Sequence, residues 1–282
     1  MLRSLYSGVS GMRGFQTKLD VIGNNIANVN TVGFKAGRVM FKDIMSQTIS
    51  GVSASVNGDR GGVNAKQIGL GVSVSAIDTI HTPGSAMTTN VPTDLRIDGD
   101  GFFAVKGDAA QTEPYLTRAG NFIVDANNQL VTADGMFVLD SDGGTIDLDD
   151  FAPVTAYSIS NSGEIITVDD QGNSNPTGRF IAVVKVSNPS GLEKIGGNLY
   201  RTTPNSMNSD TFATVADGWG NWTANNATLG TGAIISGQLE MSNVDLTAEF
   251  TEMIVAQRGF QANSRIITTS DEVLQEVVNL KR

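Results

Sequence analysis

A mainly β protein with an α-helix at each end is the fold class this sequence predicts, and three observations predict it. Apolar residues repeat every seven positions near both termini, at Leu5, Met12, Leu19 and Ile26 and again at Leu246, Met253, Phe260, Ile267 and Leu274. That period marks helices that pack along a seam. Between them, from about Val72 to Gln238, short apolar stretches alternate with polar residues and are punctuated by Asp-Gly pairs, the pattern of strands joined by tight turns. Glycine supplies 32 of the 282 residues and charged residues only 17%, a composition that fits a turn-rich antiparallel body better than a helical enzyme. The expected architecture is an antiparallel β-sandwich or barrel-like body inserted between N- and C-terminal helices that pack in a coiled-coil-like way. Its parts are a helical domain from 1–30 and 243–282, a connecting arm from 31–71 and a β-rich domain from 72–242.

In the first helix Leu2 and Val9 supply a second apolar position before Gln16 and Gly23 weaken it. Gly8, Gly11 and Gly14 each cost roughly 1 kcal/mol relative to alanine in a helix interior, so this helix depends on packing for its order. Their helical spacing also lets a neighbour approach closely. The run LDVIGNNIANVNTVGF, from Leu19 to Phe34, ends the helix. Asn and Thr side chains compete for nearby backbone groups and Gly33 tolerates φ > 0, which places the terminus between Ile26 and Asn30.

From Arg38 to Ile49, RVMFKDIMSQTI is compatible with a strand or with a strand followed by a helical turn. Ser50 to Gly71 reads as a loop by composition, with Asn57–Gly58 as its turn dipeptide. Such a length is unusual within a compact domain and points to a linker or a subunit-contacting arm. In the body, Val72, Val74 and Ala76 alternate with polar partners, as do Ile159, Ile165 and Val168, and less regularly Ile181, Val183 and Val186. Asp-Gly turns fall at Asp98–Gly99, Asp134–Gly135, Asp142–Gly143 and Asp217–Gly218.

The closing helix has Asp245 as a plausible N-cap, Glu249 in its first turn and Lys281 and Arg282 at its end, each sign suited to the helix dipole. Phe250 and Val278 stand four residues after the heptad line, but Gln257, Ser264 and Asp271 share that offset. A seam of this kind suits a crowded bundle better than a long dimeric zipper. Helical ends that pack with copies of themselves, in head-to-tail contacts that do not close, generate a helical filament with the β body outside.

The formal charge of −10 argues against nucleic acid. Residues 1–45 carry six Lys/Arg against two Asp/Glu and residues 46–244 nine against twenty-one, so the acidity belongs to the middle and reads as a solvated surface. Cysteine is absent, which excludes disulfides and thiolate chemistry. The opening MLRSLYSGVSGMRGF lacks the apolar stretch of a secretory signal and no later segment approaches a membrane span, so no membrane insertion is expected and any export has to follow a route that cleaves no signal peptide. Asp98-Gly99-Asp100-Gly101 and Asp140-Ser141-Asp142-Gly143 resemble calcium loops only superficially. Phe102 and Phe103 occupy the fifth and sixth positions of the first, Gly144 and Thr145 those of the second, so hairpin turns are expected instead. The one histidine, His81, has neither a second His nor a Cys for a zinc site or an assisted nucleophile. Gly230-Thr231-Gly232 meets Ile235 where a dinucleotide loop needs glycine. No catalytic, cofactor or metal site is expected.

Asn24, Asn25, Ile26, Ala27, Asn28, Thr31, Gly33 and Phe34 resemble the N-terminal signature of the bacterial flagellar rod and hook proteins. LRIDGDGFFAV from Leu95, YLTRAGNFIVD from Tyr115, GLEKIGGNLY from Gly191 and MSNVDLTAEFTEMIVAQRGFQANS from Met241 are similar to further segments of that family, in its order. The resemblance covers most of the chain and is weakest over 50–70 and 140–180. It implies a structural subunit, not an enzyme, that self-assembles through its terminal helices into a tube with the helices on the inner wall. IGNNIAN and the ending VAQRGFQANS to VVNLKR imply the hook, a flexible joint carrying torque from rod to filament. GLEKIGGNLY and the modest length imply the distal rod, a rigid drive shaft, as the alternative. The implied partners are copies of itself, the distal rod, the hook cap and hook–filament junction proteins, and the flagellar type III export apparatus. Phe15 and Leu19 match a short export-gate pattern. The implied location is the hook or basal body, outside the cell. Assembly is expected to rest on Leu5, Val9, Met12, Leu19, Asn25, Ile26, Asn28, Gly33 and Phe34 and on Leu246, Phe250, Met253, Phe260, Ile267 and Leu274. An exported carbohydrate-binding or adhesive β domain and an extracellular hydrolase are the competing classes, and neither accounts for two terminal heptad helices.

Overall fold

The computed structural model describes residues 2–55, 61–108, 111, 113–148, 156–168, 174–207, 222–226 and 230–280. Asn57–Gly58, Asp217–Gly218, Lys281 and Arg282 lie outside the described residues. The architecture is the predicted one, a β body between an N-terminal and a C-terminal helix. The chain divides into two compact units: Met1–Ala27, Gly37–Thr79 and Asp245–Arg282 form the first, Asn28–Ala36 and Ile80–Val244 the second.

In the first unit, α1 (Leu2–Ala27) ends inside the window set by its Asn-rich terminus. The second helix, α2 (Leu246–Leu280), starts at Asp245, whose Oδ1 accepts the backbone N–H of Thr247 at 2.8 Å and of Ala248 at 3.4 Å. These are donors that a helix start otherwise leaves orphaned. Strand Gly37–Asp43 pairs antiparallel with Val72–Thr79, and Ser46–Ser50 pairs with Lys66–Gly69. Bonds from Ile44 N–H to the Gly71 carbonyl and from Leu70 N–H to that of Met45 join the two ladders into one long ribbon. RVMFKDIMSQTI is therefore strand on both sides of a short break, with no helical turn. The loop expected over 50–71 is corrected in part: Lys66–Gly69 is a strand, hidden from composition because KQIG is polar and finds its partner in the equally polar SQTIS. The β body was expected to begin at Val72, but the strand that starts there belongs to the first unit. A two-stranded ribbon is marginal alone in water; here Phe41, beside the bulge at Met40/Phe41, packs at a tilt against Phe15 of α1 with ring centroids 6.0 Å apart.

The second unit is built on an antiparallel sheet. Its strands run in the order Glu193–Gly196, Leu199–Arg201, Tyr115–Thr117, Phe102–Lys106, Phe137–Val138, Leu130–Thr132 and Phe122–Val124, and Val183–Val184 also pairs with Phe102–Lys106. The run FFAV is apolar without alternation because both of its faces are covered. Phe103 and Val105 enter one core with Leu95, Ile97, Phe122 and Ile181, whereas Phe102 and Ala104 enter another with Leu116, Leu139, Tyr200 and Trp222. A three-stranded sheet (Ala156–Ile159, Glu164–Val168, Ser174–Phe180) and the pairs Leu95–Asp98 with Ala233–Ser236 and Ala86–Thr88 with Gln238–Glu240 complete it. The expected hairpin at Asp98–Gly101 is absent: the run links Leu95–Asp98 to Phe102–Lys106, which pair with different strands. At Asp140–Gly143 the turn is tight, with Gly143 N–H bonded to the Asp140 carbonyl at 2.8 Å.

Candidate assembly surface

Glycine sets how α1 and α2 meet. The two helices run antiparallel, and the buried or half-buried line of α1 passes through Gly8, Gly11, Phe15, Lys18, Ile22 and Asn25. A Cβ on Gly8 would touch Ile267 Cγ1 at 3.4 Å, and one on Gly11 would lie 2.7 Å from the Asn263 side chain. From the other side, a Cβ on Gly259 would lie 2.7 Å from the Phe15 ring. Two of the glycines that weaken the isolated helix, Gly8 and Gly11, thus let α2 come close, while a Cβ on the third, Gly14, would lie 2.9 Å from the Phe41 ring of the ribbon. On α2 the covered line is Glu249, Met253, Ala256, Gly259, Asn263, Ile267, Ser270 and Leu274. Its second seam position falls three residues after the heptad line, not four. Phe250 and Val278, assigned to the seam by the four-residue offset, are 49% and 64% exposed. Small residues occupy much of the true seam, and an apolar count over sequence does not register them.

Of the other heptad residues, Leu5, Met12, Leu19 and Ile26 flank the α1 line half-buried, Val9 is exposed, and Met253, Ile267 and Leu274 are half-buried. Leu246 and Phe260 are exposed at 38% and 37%. Asn25 is 1% exposed and fully used. Its Nδ2 donates to the Gly37 carbonyl at 2.8 Å and to Glu249 Oε1 at 3.0 Å, and its Oδ1 accepts the Gly37 N–H at 2.9 Å. One side chain so ties the end of α1 to the start of the ribbon and to the first turn of α2. Burial raises the pKa of Glu249, against the Asn25 bond that favours its ionised form.

The distribution of exposed apolar side chains separates the units. Among the described residues, all but four of the large ones (Met87, Val91, Ile123 and Ile195) lie in the first unit. They include Ile254, Val255, Ile266, Val273 and Val277 on α2, Tyr6 on α1, and Ile49, Val52, Val63 and Ile68 on the ribbon. A groove of about 540 Å³, lined by Tyr6, Val9, Arg13, Ile44, Leu70 and Val72 among others, runs along the same unit. Exposed apolar side chains concentrated in this way are suited to an interaction face.

In the second unit the Asn-Thr-Gly segment is held by groups that sequence reasoning missed. The Thr31 N–H bonds the Asn28 carbonyl at 3.1 Å and its hydroxyl bonds Asn28 Oδ1 at 3.1 Å. Gly33, at φ +69°, donates its N–H to the Glu240 carbonyl, and a Cβ there would lie 2.5 Å from the backbone nitrogen of Ala119. Phe34 is buried under Lys194, whose Nζ lies 4.1 Å from the ring centroid. Next to it Lys35 is 1% exposed, with Nζ 2.6 Å from Glu240 Oε1 and 2.8 Å from the Thr82 carbonyl. Glu240 Oε2 meets Arg118 Nη1 at 3.2 Å, and Oε1 accepts the Gly84 N–H at 3.0 Å. Burial alone would raise the Glu240 pKa, but Arg118 and Lys35 outweigh it and hold the carboxyl below its usual range. Burial pulls Lys35 down, with Glu240 opposing. Three charges more than nine-tenths buried in one spot leave no linear signal beyond a Lys beside Phe34 and an Arg between Thr117 and Ala119.

A paired-helix unit that leaves its apolar surface uncovered, joined to a well-packed β unit, defines a subunit built for association. Among the described residues, no group of three or more His, Cys, Asp or Glu is placed to hold a metal, and no helix is long and apolar enough to cross a membrane. The chain belongs to the FlgE/F/G family of flagellar rod and hook proteins. Residues 5–35 match the "Flagella basal body rod protein" family, 96–167 the "Flagellar hook protein FlgE/F/G D1 domain" and 235–280 the "Flagellar basal body rod FlgEFG protein C-terminal" family. It is 56% identical to the flagellar basal-body rod protein FlgG of Bacillus subtilis, over the whole of both chains. With the hook protein FlgE of Borreliella burgdorferi it shares 31% over the whole of both, in an alignment of 445 residues. With that of Treponema pallidum it shares 53% over 49% of this chain and 29% of the other.

Proposed function

We propose that this chain is a structural subunit of the flagellar distal rod, exported by the flagellar type III apparatus and polymerised through its first unit. One observation carries the choice of rod over hook. The match to the Bacillus rod protein spans both chains end to end at 56% identity over 282 residues. The Borreliella hook alignment stretches to 445 residues, and the Treponema match covers half of this chain. Elongating a subunit of this family between its shared ends accounts for that difference.

In this reading the exposed faces of α1 and α2 pack against copies of themselves and the second unit lies outside them. Asn25 acts indirectly, by fixing the first unit from within, and Asn28, Gly33 and Phe34 do so within the second, while Leu246, Phe250 and Phe260 contact neighbours. The partners are further copies and the hook that follows; the cap and junction proteins expected for a hook drop out. Electron microscopy of basal bodies from a deletion strain tests the assignment. A distal rod subunit leaves basal bodies whose rod is truncated and which bear no hook. A complete rod lacking only its hook would return the assignment to the hook.

A further inference from the structure

His81 stands where the second unit gathers positive charge. Its ring lies edge-on to Phe102 and Tyr200, with centroids 5.7 and 5.6 Å away. Its Nδ1 is buried with no hydrogen-bond partner. Among the described residues, the charged groups that act on it are Lys35, Arg118 and Lys194, all cationic. Glu240, the carboxylate of the cluster, is already engaged by the first two. Tyr200 adds only a neutral phenol, its pKa pushed by burial up to about 12.

The backbone on either side of His81 is what holds the ends of the unit together. Ile80 N–H donates to the Ala36 carbonyl at 2.8 Å, and the Thr82 carbonyl accepts Lys35 Nζ. Asn243 closes the arrangement: its Nδ2 donates to the Ile80 carbonyl at 2.8 Å and its Oδ1 accepts the Ala36 N–H at 2.8 Å. Ala36, Ile80 and Asn243 lie at or next to ends of the two segments that make up the second unit.

We propose that His81 is an acid-sensitive latch that holds these ends of the second unit together. Neutral, the ring fills the space between Phe102 and Tyr200 and keeps residues 80–82 clipped to Ala36 and Asn243. Protonated at Nδ1, it adds a cation to a cluster whose one carboxylate is already shared, and the clip opens. The sign follows from the surroundings. Burial first, then Lys35 and Arg118, lower the pKa of the ring from 6.5 to about 4. The open state, with an ordinary imidazole, therefore takes up a proton that the closed state refuses. The latch is fully favoured above about pH 6.5 and loses ground as pH falls toward about 4. Arg118 and Lys35 favour the ionised form of Glu240 in the closed arrangement.

Hydrogen exchange in the full-length chain, corrected for the intrinsic effect of pH, tests this. Between pH 7 and pH 4.5, protection of the Ala36, Ile80 and Gly84 amides should fall about tenfold or more, while Phe103 and Val105 keep theirs. In His81→Gln the same amides should show no such step. Equal losses in both chains, or no loss across the pH range in which the imidazole titrates, would overturn the latch. A second readout needs no variant: the chain has one histidine, so its imidazole signals report His81 alone. A midpoint near 4 is expected, and one near 6.5 would overturn the proposal.

Discussion

At the scale of single residues, Glu240 and two glycines make opposite demands on the fold. Glu240→Ala leaves Lys35 and Arg118 buried without their counter-charge. Breaking a buried pair costs about 3–5 kcal/mol, and in a unit of this size the melting temperature should fall on the order of 10 °C. Thermal denaturation of the full chain checks it. Gly23 lies in the interior of α1, and a Cβ added to it would meet nothing within 4 Å, so Gly23→Ala should stabilise the helix by about 0.5–1 kcal/mol, seen as raised helical circular dichroism. Gly259→Leu should do the reverse despite leucine's better propensity, because Phe15 occupies the space. The sequence shows that Gly33 and Gly8, Gly11 and Gly14 matter, since backbone cost is a local property. It does not show Lys35, Arg118 and Glu240, because their burial is created by segments about 80 to 200 positions apart that meet only in the folded unit.

Elements carry the next level of specification. The heptads and the Asn-rich stop are legible because both are short-range patterns, and the structure places the ends of α1 and α2 close to where those patterns put them. The offset of the second seam position was not legible. Knowing it requires knowing that the facing surface is glycine, which turns Ala256, Asn263 and Ser270 into contacts and leaves Phe250 outside. The ribbon was half legible: Val72–Thr79 alternates, but Lys66–Gly69 and Ser46–Ser50 are polar strands that stabilise each other only as a pair. Removing the cap in Asp245→Ala should lower the stability of α2 by about 1 kcal/mol, measured as earlier loss of helical signal on heating. Asn25→Ala should cost more, about 1–3 kcal/mol, since it leaves both backbone groups of Gly37 without their buried partner.

For the molecule as a whole, the two units divide the labour between folding and association. Among the described residues, the second unit buries most of its large apolar side chains, chiefly in two cores on either side of one sheet, whereas the first leaves most of its own exposed. Cutting the chain at Val72 would take Phe34 and Lys35 out of the second unit along with the helices. A truncated body that keeps 28–36 attached should therefore melt higher than one that begins at 72. The most direct test of association through the first unit is polymerisation of Val255→Asp beside the unaltered chain, followed by electron microscopy and thermal melting. Val255 is 58% exposed on α2, and valine and aspartate have similar intrinsic helix propensities, so the change puts a carboxylate on the open face with little effect inside the subunit. The unaltered chain should form rod-like assemblies, and Val255→Asp should remain monomeric with an unchanged melting temperature. Assemblies from Val255→Asp indistinguishable from those of the unaltered chain would contradict the account.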